Sequence, residues 1–317
     1  MKWKKLGKVF DPGDHLLPNG CVQYAQSPQT LVFDDFVRVY FSTRAVDKGK
    51  YLSHVAFVDM KKNMRDIIRV ADQPVIALGE LGCFDEHGIF PMNVVRHGGR
   101  VLGYTCGWSR RVSVSVETAI GLAISHDDGL TFQRLGPGPI LSASLHEPCL
   151  VGDGFVIVIG GKFHMWYIFG TGWRTYPGEA TPDRTYKIGH AVSDDGIEWV
   201  KEEGRKIIPD RLGPDESQAL PTVIEIAGRY HMFFCYRHSS DFRRNPDRGY
   251  RIGHAYSSDL STWIRDDDHP GIGVSPGDWD SDMLCYPHVF NCDGKVYLLY
   301  NGNEFGRHGF GVAELVT

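Results

Sequence analysis

The chain lacks any block of lysine and arginine that could track a phosphate backbone, and its formal charge is −5 over 317 residues. Nucleic acid is therefore not an expected partner. It also lacks an apolar run near the roughly 18 residues that mark a membrane helix, so no membrane partner is expected. The opening MKWKKLGKVF has the lysines of a secretory leader without the apolar stretch that should follow them. It is read as part of the folded protein, in a cytoplasmic location. The seven cysteines form no C-x-x-C pair and no regular ligand spacing, which argues against a zinc ribbon or a disulfide framework. Cys149, Cys235 and Cys285 stand inside apolar stretches, where a thiol acts as a small hydrophobe.

What is present in quantity is glycine (37), proline (17) and aromatic side chains (12 %), a composition that favours turns and strands over helical bundles. The sequence also repeats itself. YKIGHAVSDDGIEWV at 186–200 returns as YRIGHAYSSDLSTWI at 250–264. The Gly-x-Ala part of this phrase recurs in AIGLAIS (119–125) and GFGVAEL (309–315), with a weaker copy in SHVAFVD (53–59). A second element is a proline, an apolar stretch, a turn and an aromatic-rich stretch. It is found at 27–44, 90–108, 147–173, 220–238 and 286–303. Turn pairs such as HGG, AGR and CDG join two alternating stretches in the manner of hairpins. A third element, Ser-x-Asp before an aromatic, follows at 125–132, 193–199 and 257–263, where the Asp can hold a turn through backbone amides.

These elements predict one all-β domain over 1–317, a five-bladed β-propeller with four antiparallel strands per blade. SHDDGLTF also fits the Asp box of six-bladed sialidases, but five units account for the whole chain. The last unit lacks an outer strand, and KWKKLGKVF resembles one. The N-terminal strand is expected to pair beside 309–316, closing the ring and removing an exposed sheet edge.

In a propeller, residues entering the innermost strands face one axis. Asp85, Glu86 and His87 stand before Pro91, and Glu147 before Pro148. Asp215 and Glu216 stand before Pro221, and Asp278, Asp280 and Asp282 before Pro287. Asp85, Glu86, Glu147, Glu216 and Asp282 are therefore candidate catalytic carboxylates, expected to converge on one funnel. Paired carboxylates suit glycoside cleavage, one protonating the leaving oxygen and the other attacking or activating water. Arg44, Trp108, Trp173, Arg174, Arg237 and His238 end the aromatic stretches. With His87 they are candidate substrate contacts, because indole faces stack on sugars and guanidinium binds oxyanions. His190 and His254 are read as structural. His288 is positioned to reach an ion or water on the axis; no cofactor is otherwise required.

With five expected blades, a funnel of acids and HEP at 146–148, the chain resembles the five-bladed glycoside hydrolases and phosphorylases of families 32, 43, 68 and 130. Its FSTR run, FDxxGxxP pattern and MWYIFGTGW also resemble uncharacterised propellers, related to families 32 and 43, that accompany bacterial surface-polysaccharide synthesis. The resemblance implies a carbohydrate or activated-sugar substrate, with Glu147 as general acid and Asp85 or Glu86 tuning it. The base in those families precedes the first blade's proline, where this chain has Ser27 after Gln26. Glu216 or Asp282 would then replace it, or phosphate would attack directly as in family 130. A sugar-binding propeller that has lost its base is the alternative.

Overall fold

The computed structural model describes residues 1–268 and 271–316. After β1 (Lys2–Phe10), four consecutive strands form a first meander: β2 (Gln23–Val32), β3 (Phe36–Asp47), β4 (Lys50–Lys61) and β5 (Ile67–Val70). The second comprises β6 (Gly88–His97), β7 (Arg100–Arg110), β8 (Val116–Ser125) and β9 (Gln133–Arg134). The third comprises β10 (Cys149–Ile159), β11 (Lys162–Arg174), β12 (Asp183–Ser193) and β13 (Val200–Lys201). Next come β14 (Glu216–Ile226), β15 (Arg229–His238), β16 (Arg251–Ser257) and β17 (Ile264–Arg265). The chain ends with β18 (Cys285–Cys292), β19 (Lys295–Asn301) and β20 (Phe310–Val316).

Within each meander neighbouring strands pair antiparallel, and the first two meanders are joined by one parallel bridge, Ser53 to Gly88. The first hairpin of most meanders turns on two residues with positive φ, such as Gly160–Gly161 and Asp293–Gly294, which matches strand twist. The expected Asp turns form: the carboxylates of Asp195 and Asp259 each accept two backbone amides, at 2.7–2.9 Å. β2 packs on β6, β6 on β10, β10 on β14, β14 on β18, and β18 back on β2, so these strands surround one axis. The apolar clusters lie between successive meanders; Tyr104, Ile120 and Leu122, for example, meet Val156, Met165 and Tyr167.

β1 joins the last sheet beside β20, with Trp3 opposite Leu315 and Phe10 opposite Phe310. Trp3 is buried edge-on to Phe233, and Phe10 packs on Phe41 and Phe310.

The histidines of the duplicated phrase are paired within their sheets. His164 Nδ1 lies 3.1 Å from His190 Nε2, and His231 Nδ1 lies 3.0 Å from His254 Nε2. Burial, and then the neighbouring imidazole, pushes His190 and His231 down to about 4. Both are neutral in the folded protein at pH 7. The stability they contribute is present above the ordinary histidine pKa of about 6.5 and is lost as pH falls through about 4. Urea midpoints measured from pH 7 to pH 4 are expected to fall less steeply in the double variant His190→Gln, His231→Gln. An unchanged slope contradicts this role.

Candidate active site

Each of the five first strands breaks register at one shared place. The shifts fall between Gln26 and Gln29, Ile89 and Met92, Gly152 and Phe155, Ala219 and Thr222, and Cys285 and His288. The displaced pairs are Ser27-Pro28, Phe90-Pro91, Asp153-Gly154, Leu220-Pro221 and Tyr286-Pro287. Ser27, Asp153, Leu220 and Tyr286 take φ of 52°, 52°, 48° and 57°, a region that costs a non-glycine residue free energy. Such bulges re-aim side chains, and here they accompany a cavity of about 380 Å³ on the axis. In the third meander the repeat's proline is thus replaced by Gly154; Pro148 lies six residues earlier and is not its equivalent.

Asp153 is the one carboxylate among the described residues that line the cavity. It is 7 % exposed and accepts the backbone N–H of Leu220 at 3.4 Å. Burial pushes its carboxyl up to about 7, against the lowering effects of that amide and of Arg184. Four arginines line the same cavity: Arg44, Arg184, Arg237 and Arg243. Arg44 Nε donates to Gln26 Oε1 at 2.9 Å and stacks over Tyr24. Arg184 donates to Ser115 Oγ at 3.3 Å and lies over Trp173. Arg237 is buried, donating to Tyr186 Oη at 3.0 Å and to the carbonyl of His238 at 2.8 Å. Arg243 donates to Asp183 at 2.7 Å. Tyr24, Tyr51, Trp108, Tyr186, Tyr250 and Tyr286 supply aromatic surface.

Of the expected substrate contacts, Arg44, Trp108 and Arg237 line this cavity. The others do not. His87 stacks against Trp108 and accepts the amide of Arg110 at 3.4 Å. Trp173 is covered by Arg184, Arg174 is exposed and donates to Asp215, and His238 offers Arg237 only its carbonyl. Strand alternation explains the last of these: His238 follows Arg237 directly, and consecutive side chains leave opposite faces of a sheet.

The expected convergence of Asp85, Glu86, Glu147, Glu216 and Asp282 on one funnel does not occur. Glu147 is fully buried, accepting Lys201 Nζ at 2.6 Å and Tyr167 Oη at 2.7 Å. Asp85 accepts Arg134 Nε at 2.8 Å, Glu216 accepts Arg265 Nη1 at 2.6 Å, and Asp280 accepts Lys5 Nζ at 2.5 Å. These cations share one position. Arg134, Lys201, Arg265 and Lys5 stand on outermost strands opposite Ala123, Ala191, Ala255 and Ala313, the alanines of the Gly-x-Ala copies. Each acid therefore ties the entrance of its meander to that meander's outer strand. These loop carboxylates are buried anions, and a charge taken out of water is held at tolerable cost only when a cation matches it. Glu86 caps the amide of Gly82 at 2.8 Å and contacts His87, while Asp282 is exposed and accepts Ser281 Oγ. Glu147→Gln is expected to cost about 3 kcal/mol, because it strands the Lys201 ammonium. Thermal denaturation checks this; an unshifted midpoint contradicts it.

His288 lies toward the other end of the axis, its Nε2 2.8 Å from Thr30 Oγ1, and burial pushes it down to about 3. Among the described residues no group of three or more His, Cys, Asp or Glu is gathered as a metal site, and no helix is long and apolar enough to cross a membrane.

No family model matches the chain. Solved structures of similar fold are propeller glycosidases and their relatives. One glycoside hydrolase superposes with a TM-score of 0.75 at 18 % identity, over 99 % of this chain and 93 % of that one. A thermostable family-43 glycoside hydrolase gives 0.66 at 16 % identity, over 95 % and 92 % of the two chains. A member of the GH130 family, described as mannoside phosphorylases that include hydrolases of β-1,2 mannosidic linkages in Candida mannan, gives 0.68 at 15 % identity. It covers 98 % of this chain and 93 % of that one. The fold is the one these solved glycoside hydrolases share. The chain belongs to the family of the uncharacterized proteins MT1551 and Rv1502 of Mycobacterium tuberculosis. It is 35 % identical to each over 321 aligned residues, 99 % of this chain and of theirs.

Proposed function

We propose that the protein is a carbohydrate-active enzyme that cleaves or transfers a glycosidic bond in the axial cavity, with Asp153 as general acid. The single observation that carries this reading is a buried carboxyl, raised to about 7, aimed by a strained bulge into an arginine- and aromatic-lined cavity. Held protonated near neutral pH, it can give its proton to a glycosidic oxygen as the bond breaks. Trp108 and the tyrosines offer faces for sugar rings. We read the five meanders as five blades of one cytoplasmic domain.

The attacking group is the second question. With Asp153 the one lining carboxylate among the described residues, a two-carboxylate hydrolysis has no evident partner for it. Arg44 and Arg184 favour phosphate as the nucleophile, in keeping with one structural neighbour from the GH130 family of mannoside phosphorylases, a family that also contains hydrolases. A panel of nitrophenyl glycosides, assayed with and without phosphate, tests both points. Turnover that needs phosphate and vanishes in Asp153→Asn supports phosphorolysis, and turnover without phosphate supports hydrolysis. Sugar binding with no turnover would favour the binding-only propeller.

A further inference from the structure

We propose that the sugar accepted by this cavity carries its own anionic group, a carboxylate or a phosphate, held by Arg237, Arg243 and the Tyr186–Tyr250 pair. The inference rests on the carbohydrate reading above and narrows its substrate class. It follows from a count of donors and acceptors. The guanidinium of Arg237 is 1 % exposed, and its Nε has no hydrogen-bond partner. The nearest carboxylate, Asp183, is 4.0 Å away and is already engaged by Arg243 at 2.7 Å. Two guanidinium groups, both stacked on Phe242 at 3.5 and 4.1 Å, therefore share one carboxylate.

The phenols add to the imbalance. Tyr186 Oη and Tyr250 Oη are 2.5 Å apart, and Arg237 also donates to Tyr186. The bond between the two hydroxyls uses one of their two protons. Whichever tyrosine donates, one O–H remains to be given to something else. Both tyrosines line the cavity beside Arg237 and Arg243. This corner thus holds an unmatched positive charge, a free N–H and a free O–H, with Asp183 already occupied. A buried cation left in this state is costly, and an oxyanion supplies the acceptors it lacks. Neutral hydroxyls would satisfy the hydrogen bonds but not the charge.

The test is calorimetric titration of the full chain with uronic acids and hexose 1-phosphates, each against its neutral parent sugar, and with inorganic phosphate alone. At least one charged sugar is expected to bind tenfold or more tighter than its neutral parent and than phosphate. That binding is expected to weaken at least tenfold in Arg237→Gln and in Arg243→Gln. The second variant lies on a half-exposed loop position, so it keeps the test valid should the first fail to fold. Neutral sugars binding as tightly as charged ones, or charged-sugar binding unaffected by Arg243→Gln, overturn this inference alone. Inorganic phosphate binding as tightly as any sugar phosphate also overturns it, since the anion would then be a co-substrate. If no sugar of either kind binds, the carbohydrate reading falls with it.

Discussion

Removing residues 2–10 is expected to unfold the protein or to lower its thermal midpoint by at least about 10 °C, at a few degrees per kcal/mol for a chain of this size. Three losses add together. The buried side chains of Trp3 and Phe10 leave their contacts with Phe233, Phe41 and Phe310, each an effect of about 3 kcal/mol or more. Asp280, 1 % exposed, loses the Lys5 ammonium, a further cost of about 3 kcal/mol for a stranded buried charge. Finally, β20 becomes an open sheet edge with unpaired backbone groups. Set against a total stability of roughly 5–15 kcal/mol, this leaves little or nothing. Lys5→Met separates the contributions: it should reproduce the ion-pair loss while keeping the strand. A truncated protein that melts with the full chain contradicts the role given to β1.

Asp153→Asn is expected to lower turnover by about 10²–10⁴-fold, the range that general-acid catalysis supplies. Its effect on stability has a definite sign. The folded carboxyl titrates near 7, whereas an unfolded aspartate titrates near 4, so the folded protein holds the extra proton between these values. The favourable contribution of this proton is therefore complete below about pH 4 and is lost as pH rises through about 7. Three pH units correspond to about 4 kcal/mol at most. Stability of the native chain minus that of Asp153→Asn should thus decline between pH 4 and 7. Activity that needs the protonated acid should decline through the same upper limit. A flat difference profile would place Asp153 in water rather than in a buried site. The trend is opposite to that of the paired histidines, which lose stability toward acid, and single variants separate the two.

The repeat was legible because its signals are local. Gly-x-Ala strands, hairpin pairs and Ser-x-Asp turns each act over a few residues, and β1 was recognisable as an outer strand by the same pattern. Asp153, the proposed general acid, is not legible from prolines, because the third unit has Gly154 where the others have proline. Counting back from the hairpin turn instead would have found it. Ser27, Asp153, Leu220 and Tyr286 each lie seven residues before Asp34, Gly160, Ala227 and Asp293. The loop acids misled for a related reason. A position repeated in four units can serve the fold in each, and here Arg134, Lys201, Arg265 and Lys5 show that it does. Tyr186 and Tyr250 marked the duplicated phrase from the start, yet that their hydroxyls meet across two meanders is a tertiary fact. Arg184 and Arg243, like them, reach the cavity only through the fold.

The most direct test compares Asp153→Asn with Glu147→Gln on one glycoside that the native chain turns over, both variants first shown to be folded at the assay temperature. The account predicts that Asp153→Asn loses at least a hundredfold in kcat while Glu147→Gln, though less stable, retains turnover per folded molecule. The reverse result, an inactive Glu147→Gln beside an active Asp153→Asn, would contradict it.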